Sequence, residues 1–389
     1  MTPRPSGPHQ PAPPLGDLRV IDLATVVAGP GTARYLADFG ADVIKVERPG
    51  NGDTTRSLGW RHAADNVTYW WKLMGRGKRS IVLDLKSEAG KQTLHELIDS
   101  ADVLIENFRP GKLEALGFDP DELIARNPKL VVLRVSGFGQ SGPYANRAGF
   151  ATLAEAMSGF AAINGEVDGG PLLPPIALTD EVTALVGAFA VMVAVHSGVG
   201  QVVDVNLLES MFQLMGPIFS VYMATGEIPE RLGSGIPYTV PRGTFQTADG
   251  RWIAISTSAE SVAQRVMKLI GAGDDERFAT FSGRVEHRDE LNELVAHWVA
   301  QRTLDQALEA FSQAEAAAAA VYSVADIAAD PHFNERQSFV TVDGVTTQGL
   351  IAHLSKTPGV SPRPAPSLGQ HTEEILAELK DSKTYGTNP

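Results

Sequence analysis

The chain has 389 residues, a formal net charge of −13 and a composition that is 43 % hydrophobic and 20 % charged, the make-up of an ordinary soluble protein long enough for two domains. So acidic a chain is not a general nucleic-acid binder, because such binding comes from lysine and arginine neutralising phosphates; an anionic ligand has to meet a local basic cluster. The absence of cysteine excludes disulfides, thiolate catalysis and cysteine-based metal sites and fits a reducing compartment, and the nine histidines show no H-E-x-x-H or similar spacing, so no metal site is expected.

Residues 1–16 hold six prolines and no apolar segment, and are expected to be a disordered leader and not a signal peptide. From Leu18 onward, short β-branched runs alternate with helical stretches. Strands are expected at Leu18–Leu23, Ala41–Glu47, Ser80–Leu85, Val103–Glu106 and Leu130–Val135, with helices at Gly31–Phe39, 87–99 and 119–126. This alternation predicts an α/β fold built on a parallel, doubly wound, Rossmann-like sheet.

A helical zone from about 180 to 223 is interrupted at His196–Gln201. Its longest uncharged run, Val182–Val195, is too short to span a bilayer and reads as a buried helix. The protein is therefore placed in the cytoplasm, with no membrane partner. Gly226–Pro241 is rich in glycine and proline, and G-T-F-Q-T-A-D-G-R-W-I-A-I-S beyond it reads as a hairpin followed by helices to about 328. Ala316–Ala320 reads as a helix or a tightly packed segment. The expected organisation is a large domain over 17–226, a smaller α+β domain over 227–330, and a segment 331–389 that returns to the large domain.

Asp180 stands where the proline-bounded stretch P-P-I-A-L-T-D turns into helix. A helix start offers unsatisfied N–H groups and a positive end, which favours a carboxylate by about 0.3 to 1 kcal/mol. Thr179 or Asp180 reads first as a helix cap. A carboxylate held ionised beside buried surface is also a candidate nucleophile.

Several familiar chemistries fail on their spacing. A-G-P-G-T-A-R lacks the dinucleotide fingerprint, because Pro30 lies between the two glycines and Arg34 replaces the third. G-R-G-K-R-S at 75–80 is not a phosphate-binding P-loop: Lys72 stands where its first glycine belongs and Arg79 where Ser or Thr would bind magnesium. No G-x-S-x-G is present, so the hydrolase nucleophile elbow is missing. What remains is a set at the carboxyl ends of successive strands, where ligands of such sheets bind. Arg48 follows the second strand, Lys86 the third, and Asn107, Phe108 and Arg109 the fourth. Three cations and an aromatic ring suit a ligand with phosphates and a base.

The stretches V-V-A-G-P-G, G-A-D-V-I-K-V-E-R-P-G, G-K-R-S-I-V-L-D-L-K, E-N-F-R-P-G-K-L-E-A-L-G-F, V-S-G-F-G-Q-S-G-P-Y, A-L-T-D, G-Q-V-V-D-V-N-L-L-E-S, A-D-P-H-F-N-E-R and L-G-Q-H-T-E-E-I-L run in order from about 18 to 378. Together they resemble the class III CoA-transferases, which include formyl-CoA transferase and carnitine CoA-transferase. The resemblance implies that Asp180 is the catalytic nucleophile, passing through an aspartyl acyl anhydride and an aspartyl-CoA thioester. It implies CoA-binding roles for Arg48, Leu83, Lys86, Asn107, Phe108 and Arg109, and places Val26, Val27 and Ala28 in the loop beside the thioester, where backbone N–H groups can hold an oxyanion. Coenzyme A is then a co-substrate, with no permanently bound cofactor, and the partners are acyl-CoA and carboxylic acids. An interlocked homodimer is also implied.

Four departures bear on substrate. Val27 stands where formyl-CoA transferase has an acyl-contacting glutamine, which points away from formate and oxalate toward a larger or less polar acyl group. That enzyme's tetraglycine loop has no clear copy, G-S-G at 233–235 being a weak substitute. Ala115 replaces a CoA-binding arginine of relatives, and Ala151 replaces an acid that many transferases carry. The α-methylacyl-CoA racemases share the fold but use a His-Asp pair where this chain has Phe150 and Ala151. The reading is a CoA-transferase, with a racemase or isomerase, or a non-catalytic CoA-binding protein, as the alternatives.

Overall fold

The computed structural model describes residues 12–385. Six parallel strands, β1 (Arg19–Asp22), β2 (Asp42–Glu47), β3 (Arg79–Val82), β4 (Val103–Glu106), β5 (Val131–Ser136) and β6 (Gln201–Asn206), form one sheet in the order β3-β2-β1-β4-β5-β6. The principal helices with them are α1 (Ala28–Asp38), α2 (Glu88–Asp99), α3 (Pro120–Arg126), α4 (Ala151–Met157), α5 (Leu178–Ser197) and α6 (Leu207–Gln213). The winding direction reverses between β1 and β4, which opens a crevice at the carboxyl ends of those two strands.

Successive residues of a strand point to opposite faces, and both faces of this sheet are covered. Val20, Val43, Val103, Val131 and Leu133 pack toward a layer with Leu36 and Val191. Ile21, Ile44, Ile81, Leu104 and Val132 pack toward Leu94, Leu97, Phe118 and Ile375. Burying each such side chain contributes roughly 1.5 to 3 kcal/mol.

Chain segments far apart in sequence close the open flank of β3. The Ser80 N–H donates to His371 Nδ1 at 3.1 Å, the His371 N–H donates to Ser80 O at 2.9 Å, and the Val82 N–H donates to Thr372 Oγ1 at 3.3 Å. Arg79 fastens the helix Thr372–Tyr385 through Glu374 at 2.9 Å and Glu378 at 2.6 Å.

Three expectations about helices and strands are corrected by the structure. The sequence reading resumes helix after Gln201, but Q-V-V-D-V-N is the edge strand β6, paired with β5 from Val131↔Gln201 to Ser136↔Asn206. Helix α5 is buried on one side only: Thr183, Ala184, Gly187, Val191 and Ala194 face inward, while Leu185, Phe189 and Val193 stay exposed. By length and composition α5 is apolar enough to cross a membrane, yet it lies against α1 at close range. A Cβ on Gly187 would stand 2.5 Å from Thr32 Oγ1, and one on Gly31 2.9 Å from the Ala184 Cβ, so glycine is required at both. Third, Ala318–Ala320 is a strand, β9, because pairing with a neighbour outweighs the low strand preference of alanine.

The chain divides into two compact units. Among the described residues the first comprises those up to Ser158, Pro174–Met215 and those from Gln337 onward; the second comprises Gly159–Leu173 and Gly216–Arg336. Within the first, Leu15 donates its N–H to Phe39 O at 3.0 Å and packs on the core, so residues 13–16 of the expected leader belong to the fold, and 1–11 lie outside the described residues. The second unit carries an antiparallel sheet of β7 (Arg242–Gln246), β8 (Trp252–Ser256) and β9, as the expected hairpin requires. Its own core includes Ile253, Val266, Phe278, Leu291, Val295 and Phe311.

Candidate active site

The loop from β1 to α1 emerges at the crevice. Its first residues are fixed by a cluster of charges that is fully buried. Asp22 accepts from the Ala24 N–H at 3.1 Å and from Lys78 Nζ at 2.8 Å, and lies 3.5 Å from Lys45 Nζ. Lys45 also pairs with Asp53 at 2.9 Å and donates to Ala24 O, and Lys78 donates to Pro30 O at 2.8 Å. Burial works against the Lys45 charge, but Asp22 and Asp53 outweigh it and raise its pKa; for Lys78 burial prevails and the pKa falls. Both ends of the loop are thus tied to one carboxylate.

Val26 has φ = 72°, a left-handed backbone that costs a β-branched residue roughly 1 to 3 kcal/mol. The preceding residue is held across the crevice. Asn107 Oδ1 accepts from the Thr25 N–H at 2.8 Å, and Asn107 Nδ2 donates to Thr25 O at 2.7 Å. Val27 is the N-cap of α1 and makes no side-chain cap, and Ala28 is the first helical residue; both are buried.

The strand-end cations stand at the same edge of the sheet. Arg48, Lys86 and Arg109 are exposed, and among the described residues none has an acidic partner; Arg48 Nε donates only to Gly52 O, at 3.1 Å. Leu83 is buried and donates its N–H to Glu47 O at 2.9 Å. Phe108 is half-buried against the second apolar layer, and its N–H donates to Glu106 Oε2 at 2.7 Å. Ala115 is exposed on a short helix that follows.

Asp180 is the third residue of α5, and that helix starts from Ala177 with no side-chain cap. The capping expected of Thr179 or Asp180 is therefore not made. The helix start is expected to favour the charged carboxylate, but Asp180 is pushed up to about 6, by burial first, then by the negative charges of Glu155 and Glu181. At pH 7 it is still mostly ionised, but it is a stronger base than an ordinary aspartate. Its neighbours are well fixed. Thr179 donates through Oγ1 to Glu155 Oε1 on α4 at 3.0 Å, and Thr183 Oγ1 donates to Thr179 O at 2.7 Å. Glu181 accepts from Tyr35 Oη at 2.9 Å and pairs with Arg34 at 3.3 Å.

Helices α1 and α5 each lead into the start of a strand, β2 and β6, so both begin at the carboxyl end of the sheet. Asp180, the Val26–Ala28 loop and the strand-end cations consequently share that end. Sequence reasoning missed Glu155, which lacks any local signal, and it took no residue from the end of β5. There Phe138 meets Tyr144 edge-on at 5.8 Å, with the Arg147 guanidinium 5.3 Å from the Tyr144 ring. The strand itself was legible, so its end S-G-F-G-Q was available to the same argument. Phe150 precedes α4 and is exposed, and Ala151 is its first residue. Among the described residues no group of three or more acidic or histidine side chains is arranged to hold a metal ion.

Comparison with known proteins gives the family of the chain. Residues 15–372 match the model of CoA-transferase family III. The chain is 40 % identical to a succinyl-CoA–D-citramalate CoA-transferase of Chloroflexus aurantiacus, over 95 % of each chain. It is 36 % identical to a succinate–glutarate CoA-transferase of Agrobacterium fabrum, over 96 % of this chain and 98 % of that one. A crystal structure of a CAIB/BAIF family protein from Brucella suis superposes with a TM-score of 0.83 at 34 % identity, covering 94 % of this chain and 99 % of that one. With residues 15–372 matched by the family model and relatives similar over nearly the whole chain, the chain belongs to CoA-transferase family III.

Proposed function

We propose that this protein moves CoA from an acyl-CoA to a free carboxylic acid by covalent catalysis on Asp180. The observation that carries the proposal is a partly buried carboxylate of raised basicity, in a well-braced helix start at the end of the sheet where unpaired cations gather. An Asp180 oxygen attacks the thioester carbonyl; the C–S bond breaks and CoA leaves as thiolate. The thiolate attacks the aspartyl carbonyl of the resulting anhydride, releasing the donor acid and leaving aspartyl-CoA. An acceptor carboxylate repeats the sequence in reverse and regenerates Asp180.

Arg48, Lys86 and Arg109 suit the CoA phosphates, Phe108 and Leu83 offer apolar surface beside them, and the Val26–Ala28 backbone faces the carbonyl oxygen. The relatives named for succinyl-CoA, citramalate and glutarate favour dicarboxylic acids as donor and acceptor, with succinyl-CoA as the first donor to try. Buried Val27 is compatible with an acyl group larger than formyl. A homodimer is part of the proposal, because Leu185, Phe189, Val193, Val199 and Val202 leave an apolar face exposed on α5 and at the edge strand.

The decisive experiment incubates the protein with a panel of acyl-CoAs and hydroxylamine, followed by peptide mass spectrometry. A hydroxamate on the Asp180 peptide is expected. An unmodified Asp180 with every acyl-CoA that binds would refute the mechanism, as would wild-type exchange rates in Asp180→Ala.

A further inference from the structure

We infer that Asn107 is a positioning residue for the β1–α1 loop and not a side-chain ligand of CoA: it holds the Thr25 peptide so that Val26 keeps its left-handed backbone beside the thioester. This rests on the transferase reading above for what the loop faces, and on geometry for everything else.

The Asn107 carboxamide is spent on one peptide group. Its oxygen accepts from the Thr25 N–H at 2.8 Å and its nitrogen donates to Thr25 O at 2.7 Å, so both polar atoms face the β1–α1 loop. Asn107 is itself braced, because Glu106 accepts from the Phe108 N–H at 2.7 Å and is held by Arg134 at 2.7 Å, which also pairs with Glu114 at 2.7 Å. The clamp therefore joins the two strands that flank the reversal of winding, from positions 82 residues apart.

The loop needs such a clamp. A β-branched residue at φ = 72° relaxes to negative φ unless its surroundings forbid it. Asp22 and Lys45 fix Ala24 and Lys78 fixes Pro30, while Val27 at the start of α1 has no side-chain cap. Between those anchors, among the described residues, Asn107 supplies the side-chain bonds that reach the Thr25–Val27 stretch. If Val26 relaxes, the peptide planes on either side of it turn, and backbone N–H groups aimed at an oxyanion lose their direction. Misplacement of that kind acts on the transition state more than on the binding of CoA.

The test uses Asn107→Ala, Asn107→Ser and the double variant Val26→Gly/Asn107→Ala in the full chain. CoA affinity is read by titration calorimetry and kcat by CoA exchange. Asn107→Ala is expected to bind CoA within about threefold of wild type while kcat falls about 10- to 100-fold. Asn107→Ser, which keeps one hydroxyl for the Thr25 peptide, falls between. Glycine adopts positive φ without penalty, so Val26→Gly is expected to recover about tenfold of the lost kcat.

Loss of CoA affinity beyond about tenfold, an unchanged kcat, or no recovery in the double variant overturns the inference. Should Asn107→Ala fail to fold, the serine variant carries the same comparison. The affinity arm needs no turnover, so absence of exchange in the wild type would count against the transferase reading, while loss of CoA affinity in Asn107→Ala would still overturn the claim that Asn107 is not a CoA ligand.

Discussion

Glu155 accepts a hydrogen bond from the Thr179 hydroxyl at 3.0 Å and so stands a second carboxylate beside Asp180. Burial and the negative charges of Glu155 and Glu181 push Asp180 up to about 6, and none of the groups acting on it is cationic, since Arg34 and Tyr35 on α1 are engaged with Glu181. A nucleophile must be ionised, so exchange is expected to rise with pH through about 6. Glu155→Gln keeps an acceptor for Thr179 but removes the charge, and should move that rise to lower pH. The check is a profile of kcat/KM against pH for both proteins; an unmoved limb in the variant contradicts the arrangement.

The same raised pKa has a cost in stability. A carboxyl whose folded pKa lies above its unfolded value of 3.8 stabilises the fold below that value, and the contribution is lost as pH rises through about 6. Asp180→Asn should therefore be more stable than wild type at pH 7 to 8, by about 1 to 3 kcal/mol, while losing exchange. Urea unfolding at pH 8 and pH 3 gives the answer, with the difference expected to vanish at the lower pH.

Arg109 has no acidic partner among the described residues and, like Asn107, lies just beyond the end of β4. If it holds a CoA phosphate, Arg109→Ala should raise KM for acyl-CoA about 10- to 100-fold with little change in kcat, the pattern of lost uniform binding. Salt should weaken the wild type more than the variant. A fall in kcat at constant KM would assign it another role.

Phe189 is 72 % exposed at the centre of the apolar face of α5. A dimer that buries this face should not tolerate a charge there, so Phe189→Glu is expected to shift light-scattering mass from two chains to one or to aggregate. A wild-type monomer at micromolar concentration would remove the dimer from the proposal.

Much of the first unit was legible because β1 to β5 are runs of Val, Ile and Leu separated by helix-length intervals, and burial on both faces demands such runs. Strand β6 was not, since Q-V-V-D-V-N is an exposed edge between two apolar helices and has little pattern of its own. Ala318–Ala320 became a strand only through its partner β8. Asp180 was found by position, but its raised pKa comes from burial first and then from Glu155, 25 residues away, and no local rule connects either to it. The cations after β2, β3 and β4 stood out because they break the apolar pattern at strand ends. The clamp of Asn107 on Thr25 and the left-handed Val26 are invisible in sequence, because valine carries no sign of positive φ.

The flank of β3 is filled by residues that follow it by about 290 positions. At roughly 5 to 20 residues per second, ribosomal synthesis delivers them some 15 to 60 s after β3 has emerged. For that interval the nascent sheet carries an unoccupied row of backbone donors and acceptors. Any strand from a neighbouring chain competes for that row until His371 and Thr372 arrive, so the yield of native protein depends on how quickly the ribosome finishes.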